Sequence, residues 1–178
     1  MKNDMQYILL DRETIAKRVQ ELGREISRDY ADEPPLLVCI LKGSVVFFAD
    51  LMRAIDLPLK IEFMTASSYG SATVSSGKVT IVSELDKKIV DKHVILVEDI
   101  IDSGRTIAYI KKDMLNKGVK SLKVCALLDK PDRRVSDVEA DYIGFPIPDE
   151  FVVGYGLDYD QKYRNFPDIG VLKHEIYE

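Results

Sequence analysis

Cysteine and histidine are scarce in this sequence, with two of each. Cys39 and Cys125 sit inside apolar, strand-like runs and show no zinc or redox spacing, which leaves buried reduced thiols in a cytosolic protein as the plain reading. His93 and His174 flank charged residues without triad-like partners, so both read as surface. Positive charge is in deficit: 25 Lys and Arg stand against 30 Asp and Glu, a net charge of −5. That balance, with no Lys/Arg-rich stripe, disfavours a general nucleic-acid binder. No apolar run approaches the length of a membrane span. The stretch Met1 to Tyr7 is polar and lacks a signal-peptide core. The Gly-x4-Gly-Lys spacing of a Walker A loop is also missing.

What is present is an ordinary globular balance, 46% hydrophobic and 31% charged over 178 residues. The expectation is one domain over residues 1–178, of α/β class, with a small appended subdomain.

The chain is organised around Val94 to Thr106, VILVEDIIDSGRT. Val94 to Val97 reads as a buried parallel strand, too short for a helix. Glu98 and Asp99 follow at once, then Asp102-Ser103-Gly104-Arg105-Thr106. Ile107, Ile110 and Met114 then recur at helical spacing as far as Asn116-Lys117-Gly118, where Gly118 suits a helix C-terminus. A helix N-terminus offers unsatisfied amides to an anion, Gly104 permits close backbone approach, and Ser103 and Thr106 add hydroxyls. Two carboxylates would repel a bare polyphosphate. They make sense beside ribose hydroxyls, or beside a Mg²⁺ that neutralises a second phosphate group.

The remaining segments repeat the strand–loop–helix pattern. Asp11 to Asp29 reads as a scaffold helix, with Asp11 as N-cap and Ile15, Val19, Leu22 and Ile26 on one face. Leu36 to Leu41 is a second buried strand, and Val45 to Ile55 the helix after it. Between them Lys42 and Gly43 lie at the carboxyl end of a strand, where ligands collect in open α/β sheets. Leu59 to Met64 is a short strand. Thr65 to Gly77 is a small-residue loop of the kind that serves as a lid. Val79 to Leu85 reads as the returning strand, and Asp86 to Lys92 as a solvated turn. Leu122 to Leu128 is a further strand ending at Asp129-Lys130-Pro131, where Lys130 could donate to a base carbonyl. Arg133-Arg134 reads as a solvated face. Tyr142 to Phe145 and Phe151 to Tyr155 are apolar runs, and an aromatic such as Phe151 is more often core than ligand contact.

VILVEDIIDSGRT resembles the phosphoribosyl-pyrophosphate motif of the type I phosphoribosyltransferases. From the Leu41-Lys42-Gly43 turn to near the C-terminus, the chain is most similar to the hypoxanthine-guanine branch of that purine family. The resemblance implies a mostly parallel twisted sheet with helices on both faces, plus a small hood of N- and C-terminal segments. It implies transfer of the 5-phosphoribosyl group from 5-phosphoribosyl 1-pyrophosphate to hypoxanthine or guanine, giving IMP or GMP, with Mg²⁺ as cofactor. Asp102 then matches the general base. Glu98, Asp99, Asp102, Ser103, Gly104, Arg105 and Thr106 match the phosphoribosyl and 5-phosphate site. Lys42, Gly43 and Arg164 match the pyrophosphate site, with a cis peptide implied between Leu41 and Lys42. Lys130 matches the lysine on the purine 6-oxo group, Phe151 the stacking ring, and Val152 the backbone that reads the ring edge. Asp158 matches an acid near the base and a second metal, so Glu98, Asp99 and Asp158 form the metal set. Ser68 and Tyr69 resemble the mobile loop that closes over the reacting centre. A cytoplasmic homodimer or homotetramer is implied, with small-molecule substrates and no nucleic-acid or membrane partner.

Two rivals remain open. One is a phosphoribosyltransferase for another base, such as xanthine or uracil. The other is an RNA-binding regulator that retains the phosphoribosyl-pyrophosphate site, against which the acidic balance argues.

Overall fold

The structure is a computed structural model and describes residues 1–68, 79–82, 85 and 87–177. In chain order the elements are β1 (Met5–Leu10), α1 (Arg12–Asp29), β2 (Leu36–Leu41), α2 (Val45–Ala54), β3 (Lys60–Ser68), β4 (Val79–Val82), β5 (His93–Ile101), α3 (Arg105–Asn116), β6 (Ser121–Asp129), β7 (Tyr142–Pro146), β8 (Val152–Val153), β9 (Ile169–Leu172) and α4 (His174–Tyr177). They form two sheets. One has six strands in the order β4-β3-β2-β5-β6-β7, parallel except for β4 at its edge. The other is a small antiparallel sheet, β1-β9-β8, built from the N- and C-terminal segments. This is the expected α/β architecture with its hood.

Side chains on a strand alternate between faces, and here the alternation assigns each helix its side. Leu37, Cys39, Ile95, Val97, Cys125 and Leu127 face α1 and α2, in one core with Ile15, Leu22, Ile26, Phe47 and Leu51. Val38, Ile40, Val94, Leu96, Val124 and Ala126 face α3, in a second core with Ile107, Ile110 and Met114. The middle stretches of the central strands, Leu36 to Leu41, Val94 to Val97 and Val124 to Leu128, are therefore apolar on both faces, as a sheet covered on both sides requires. Local signals set the helix ends. The Asp11 side chain accepts from the Thr14 amide at 2.8 Å, closing the N-terminus of α1. Gly118, at φ +82°, lies just beyond α3.

Four sequence-based expectations change. β3 is longer than Leu59 to Met64, because Thr65 to Ser68 continue the strand by pairing with β4. Of the proposed lid, Ser68 thus ends a strand opposite Val79, and Tyr69 lies outside the described residues. β5 runs on through Glu98 and Asp99 to Ile101, since β6 supplies partners as far as Asp129, so the acids stand within a strand and not after it. The turn before β5 is only partly solvated, as Leu85 and Ile89 are buried in the α3-side core. His93 is not a free surface group. It is half-buried, with Nδ1 at 2.6 Å from Ser121 Oγ and Nε2 at 3.3 Å from Glu33. Both cysteines are buried and free. No helix among the described residues is long and apolar enough to cross a membrane.

Candidate active site

The carboxyl ends of β2, β5 and β6 lie side by side, with Cys39 opposite Val97 and Ile101 opposite Asp129. An open cleft of about 250 Å³ forms there, lined by Leu41, Gly43, Glu98, Asp99, Asp102 and Thr106 among others. Glu98 is buried, and burial pushes its carboxyl well above the usual range, with the Asp99 charge adding to the effect. The two acids are held by main chain. Glu98 accepts from the Asp99 amide at 3.2 Å, and Asp99 from the Ile100 amide at 2.8 Å. Among the described residues neither carboxylate has an ion-pair partner.

Past the acids, Gly104 takes φ +79° and caps α3, turning the chain so that the first-turn amides open toward the cleft. A neighbouring segment braces this loop, because the Ser103 carbonyl accepts from Val135 at 3.1 Å and from Ser136 at 3.2 Å. The Ser103 hydroxyl accepts from the Arg105 amide at 3.5 Å.

On the β2 side, the Leu41–Lys42 peptide is cis. Lys42 is exposed, and Gly43 packs directly on Asp99. Ser44 is buried beneath the loop, donating to the Ile40 carbonyl and lying 3.3 Å from Cys39 Sγ. Gly156, at φ +106°, presses against the Gly43 carbonyl from the other side. Arg164 belongs to this layer. Its Nη1 donates to the Gly156 carbonyl at 2.8 Å, and the Gly156 amide returns a bond to the Arg164 carbonyl at 2.9 Å. The structure thus brings Lys42, Gly43 and Arg164 into one neighbourhood.

On the β6 side, Lys130 is buried, with its amide on the Ile101 carbonyl at 2.9 Å and its ammonium 3.4 Å from Asp149. Of the two arginines read as a solvated face, Arg133 is exposed though paired, whereas Arg134 is largely buried. Arg133 Nε donates to Asp102 Oδ1 at 3.1 Å, and its Nη1 to Asp149 at 3.3 Å. Arg134 pairs with Asp129, donates to the Val138 carbonyl, and reaches the Asp102 carbonyl at 3.4 Å. Nothing in the one-dimensional pattern marks these partners, because Asp102 and Asp149 are joined to the arginines only by the return of the chain across the sheet edge.

The hood contributes Phe151, Val152 and Asp158. Phe151 is partly exposed, stacked on Tyr177 at 4.6 Å and edge-on to Tyr159 at 5.8 Å. Val152 is buried and pairs with Val171. Asp158 accepts from the Gln161 amide at 2.8 Å and pairs with Arg164 at 2.8 Å. It does not gather with Glu98 and Asp99, and no group of three metal-ligating side chains forms among the described residues. Glu98 and Asp99 alone offer adjacent oxygen donors without a protein cation. That chemistry fits a hard divalent ion and not a zinc or copper site.

A parallel sheet ending in a glycine-capped phosphate loop, with paired acids before it and a cis-peptide lysine turn beside it, defines a phosphoribosyltransferase. Residues 5–160 match the family model of the phosphoribosyl transferase domain, and the chain belongs to that family of transferases. The similarity extends to particular members. The hypoxanthine-guanine phosphoribosyltransferase of Streptococcus thermophilus (strain CNRZ 1066) is 49% identical over 177 residues, covering 99% of this chain and 98% of the relative. The Bacillus subtilis (strain 168) protein of the same name is 48% identical over 178 residues, covering 100% of this chain and 99% of its own. A crystal structure of a hypoxanthine phosphoribosyltransferase from Staphylococcus aureus superposes with a TM-score of 0.95 at 47% identity, covering 100% of this chain and 97% of that one.

Proposed function

We propose that this chain, acting as one domain over residues 1–178, transfers the 5-phosphoribosyl group of 5-phosphoribosyl 1-pyrophosphate to hypoxanthine and guanine. IMP and GMP form, pyrophosphate leaves, and the reaction serves purine salvage. The observation that supports this reading is the cleft at the strand ends, which Gly43, the Glu98–Asp99 pair and the Asp102 to Gly104 loop line together. Relatives named for this activity over their whole length support it.

The chemistry is displacement at the anomeric carbon by a purine nitrogen. The α3 amides, with Ser103, Gly104, Arg105 and Thr106, cradle the 5-phosphate, fixing one end of the donor. Lys42, the Gly43 amide and Arg164 attract the pyrophosphate as charge builds on it. Glu98 and Asp99 bind the ribose hydroxyls and would hold Mg²⁺, with Asp158 near a second ion. Bound Mg²⁺ would supply positive charge that stabilises the leaving group. Asp102 takes the N7 proton, Lys130 donates to the 6-oxo group, Phe151 stacks on the ring, and the Val152 main chain reads its edge. Ser68 and Tyr69 belong to the segment that closes over the centre and excludes water. The enzyme works as a cytoplasmic homodimer or homotetramer, on small molecules only.

The test is purified protein with Mg²⁺, the phosphoribosyl donor, and hypoxanthine, guanine, xanthine or uracil in turn, following nucleotide formation. Turnover of the two 6-oxopurines is expected. Turnover of xanthine or uracil alone would reassign the base. A salt-sensitive RNA shift without any turnover would overturn the enzymatic reading.

A further inference from the structure

Asp102, Arg133, Asp149 and Lys130 form a chain of alternating charge. Asp102 Oδ1 meets Arg133 Nε at 3.1 Å, Arg133 Nη1 meets Asp149 Oδ2 at 3.3 Å, and Asp149 Oδ1 meets Lys130 Nζ at 3.4 Å. We infer that Arg133 and Asp149 are positioning residues that couple the base Asp102 to the purine-binding Lys130, so that protonation at one end releases charge at the other. The inference rests on the roles given above to Asp102 and Lys130.

Arg133 engages one oxygen of Asp102 and leaves the second for a purine N–H. Lys130 is almost fully buried, and its ammonium needs a counter-charge while the purine is away. Asp149 provides it, and Arg133 shares the same carboxylate through its other oxygen. When Asp102 accepts the N7 proton it becomes neutral, and the only bond formed or broken is that proton's. Arg133 then loses half of its negative surroundings and draws more strongly on Asp149. Asp149 in turn holds Lys130 less tightly. The ammonium is freed toward the 6-oxo oxygen at the moment when negative charge develops there. N7 and the 6-oxo group are adjacent on a purine, so the two ends of the chain address neighbouring atoms of one ligand. Other charges near Asp102 among the described residues are Arg134, on its main-chain carbonyl, Glu98 and Asp99 in the same cleft, and Arg105 along its own segment. Arg134 is committed to Asp129 and Val138, which leaves Arg133 as the guanidinium on the Asp102 carboxylate. The Arg133 guanidinium is raised above its ordinary value chiefly by its bond to Asp102, in keeping with that pairing.

The chain predicts opposite effects from its two inner members. Arg133, Asp102 and Asp149 are each about half exposed, so the coupling is moderated by solvent. In Arg133→Ala the base loses a neighbouring cation and binds its proton more readily. The acid limb of kcat/KM for hypoxanthine should therefore move toward higher pH. In Asp149→Asn the undivided Arg133 favours ionised Asp102, and the limb should move to lower pH. Arg133→Lys should restore part of the shift, and KM for the phosphoribosyl donor should stay within about twofold in all three. Thermal unfolding of each variant identifies any loss due to folding. Limbs that coincide with the parent, or that move the same way in Arg133→Ala and Asp149→Asn, would overturn the coupling. Full activity in Asp102→Asn, by contrast, would fault the base assignment beneath it, and absence of purine turnover in the parent would fault the function itself.

Discussion

Gly43 and Asp99 occupy adjoining space so closely that a Cβ on Gly43 would overlap the Asp99 carboxylate, lying 2.7 Å from its Cγ. The two residues come from neighbouring strand ends, one offering an amide and the other a charge. Gly43→Ala should therefore displace either the carboxylate or the turn. A loss of about 1–3 kcal/mol in stability is expected from the overpacking, read as a lower denaturant midpoint at unchanged slope. Activity should fall more than stability suggests. The fall should appear in kcat/KM for the phosphoribosyl donor, since both displaced groups line the cleft proposed to hold it.

Asp102→Asn preserves the shape of the loop, because Ser103, Val135 and Ser136 hold it through main-chain bonds. The donor should bind nearly as before. Turnover should drop by about 10²–10⁴, the range of a lost general base. Donor titration alongside single-turnover kinetics separates the two. An undiminished rate would remove Asp102 from the reaction.

Lys130→Ala deletes a buried ammonium and leaves Asp149 to Arg133 alone. Loss of a charged hydrogen bond to the 6-oxo group should raise KM for hypoxanthine about ten- to a hundredfold, with little change for the donor. Isothermal titration with each substrate measures the difference directly. Equal losses for both would contradict the contact.

The thiols make a prediction about pH. Burial pushes Cys39 up to about 11, and pushes Cys125 higher still. Both should resist alkylation in the native protein near neutral pH and react in denaturant, as counted by a chromogenic thiol reagent. The sign for stability follows from linkage. A folded-state pKa above the unfolded value gives a contribution that is complete below the unfolded thiol pKa. It declines as pH rises from there through the folded values. Replacing both cysteines by alanine should flatten stability over that alkaline window.

The strand β2, the helix α1 with its Asp11 cap and the end of α3 at Gly118 were legible from sequence, since each is written in local spacing. So was the turn at Gly104, which caps α3. Strand length was less legible. Thr65 to Ser68 are small residues with no apolar period, and pairing with β4, with Thr65 also on Leu41 of β2, makes them a strand. Glu98 and Asp99 are poor strand formers on propensity, yet parallel pairing with β6 carries them. Arg133 and Asp149 could not be found at all, because their partnership with Asp102 and Lys130 depends on how far β7 brings the chain back. Ile89 lies in a charged turn and is nonetheless fully buried, a case in which packing against α3 overrides composition.

The contact of Gly156 with the Gly43 carbonyl joins hood to sheet through bare main chain, with no side chain interposed. At this one point, the approach of hood to sheet is set by main chain, so a side chain at position 156 would force the two apart. Under the proposed assignment, alterations at Lys130, Phe151 or Val152 should retune which heterocycle is accepted while the grip on the activated sugar stays as it was. Selectivity and donor handling would then be separable traits, open to independent change by evolution or by engineering.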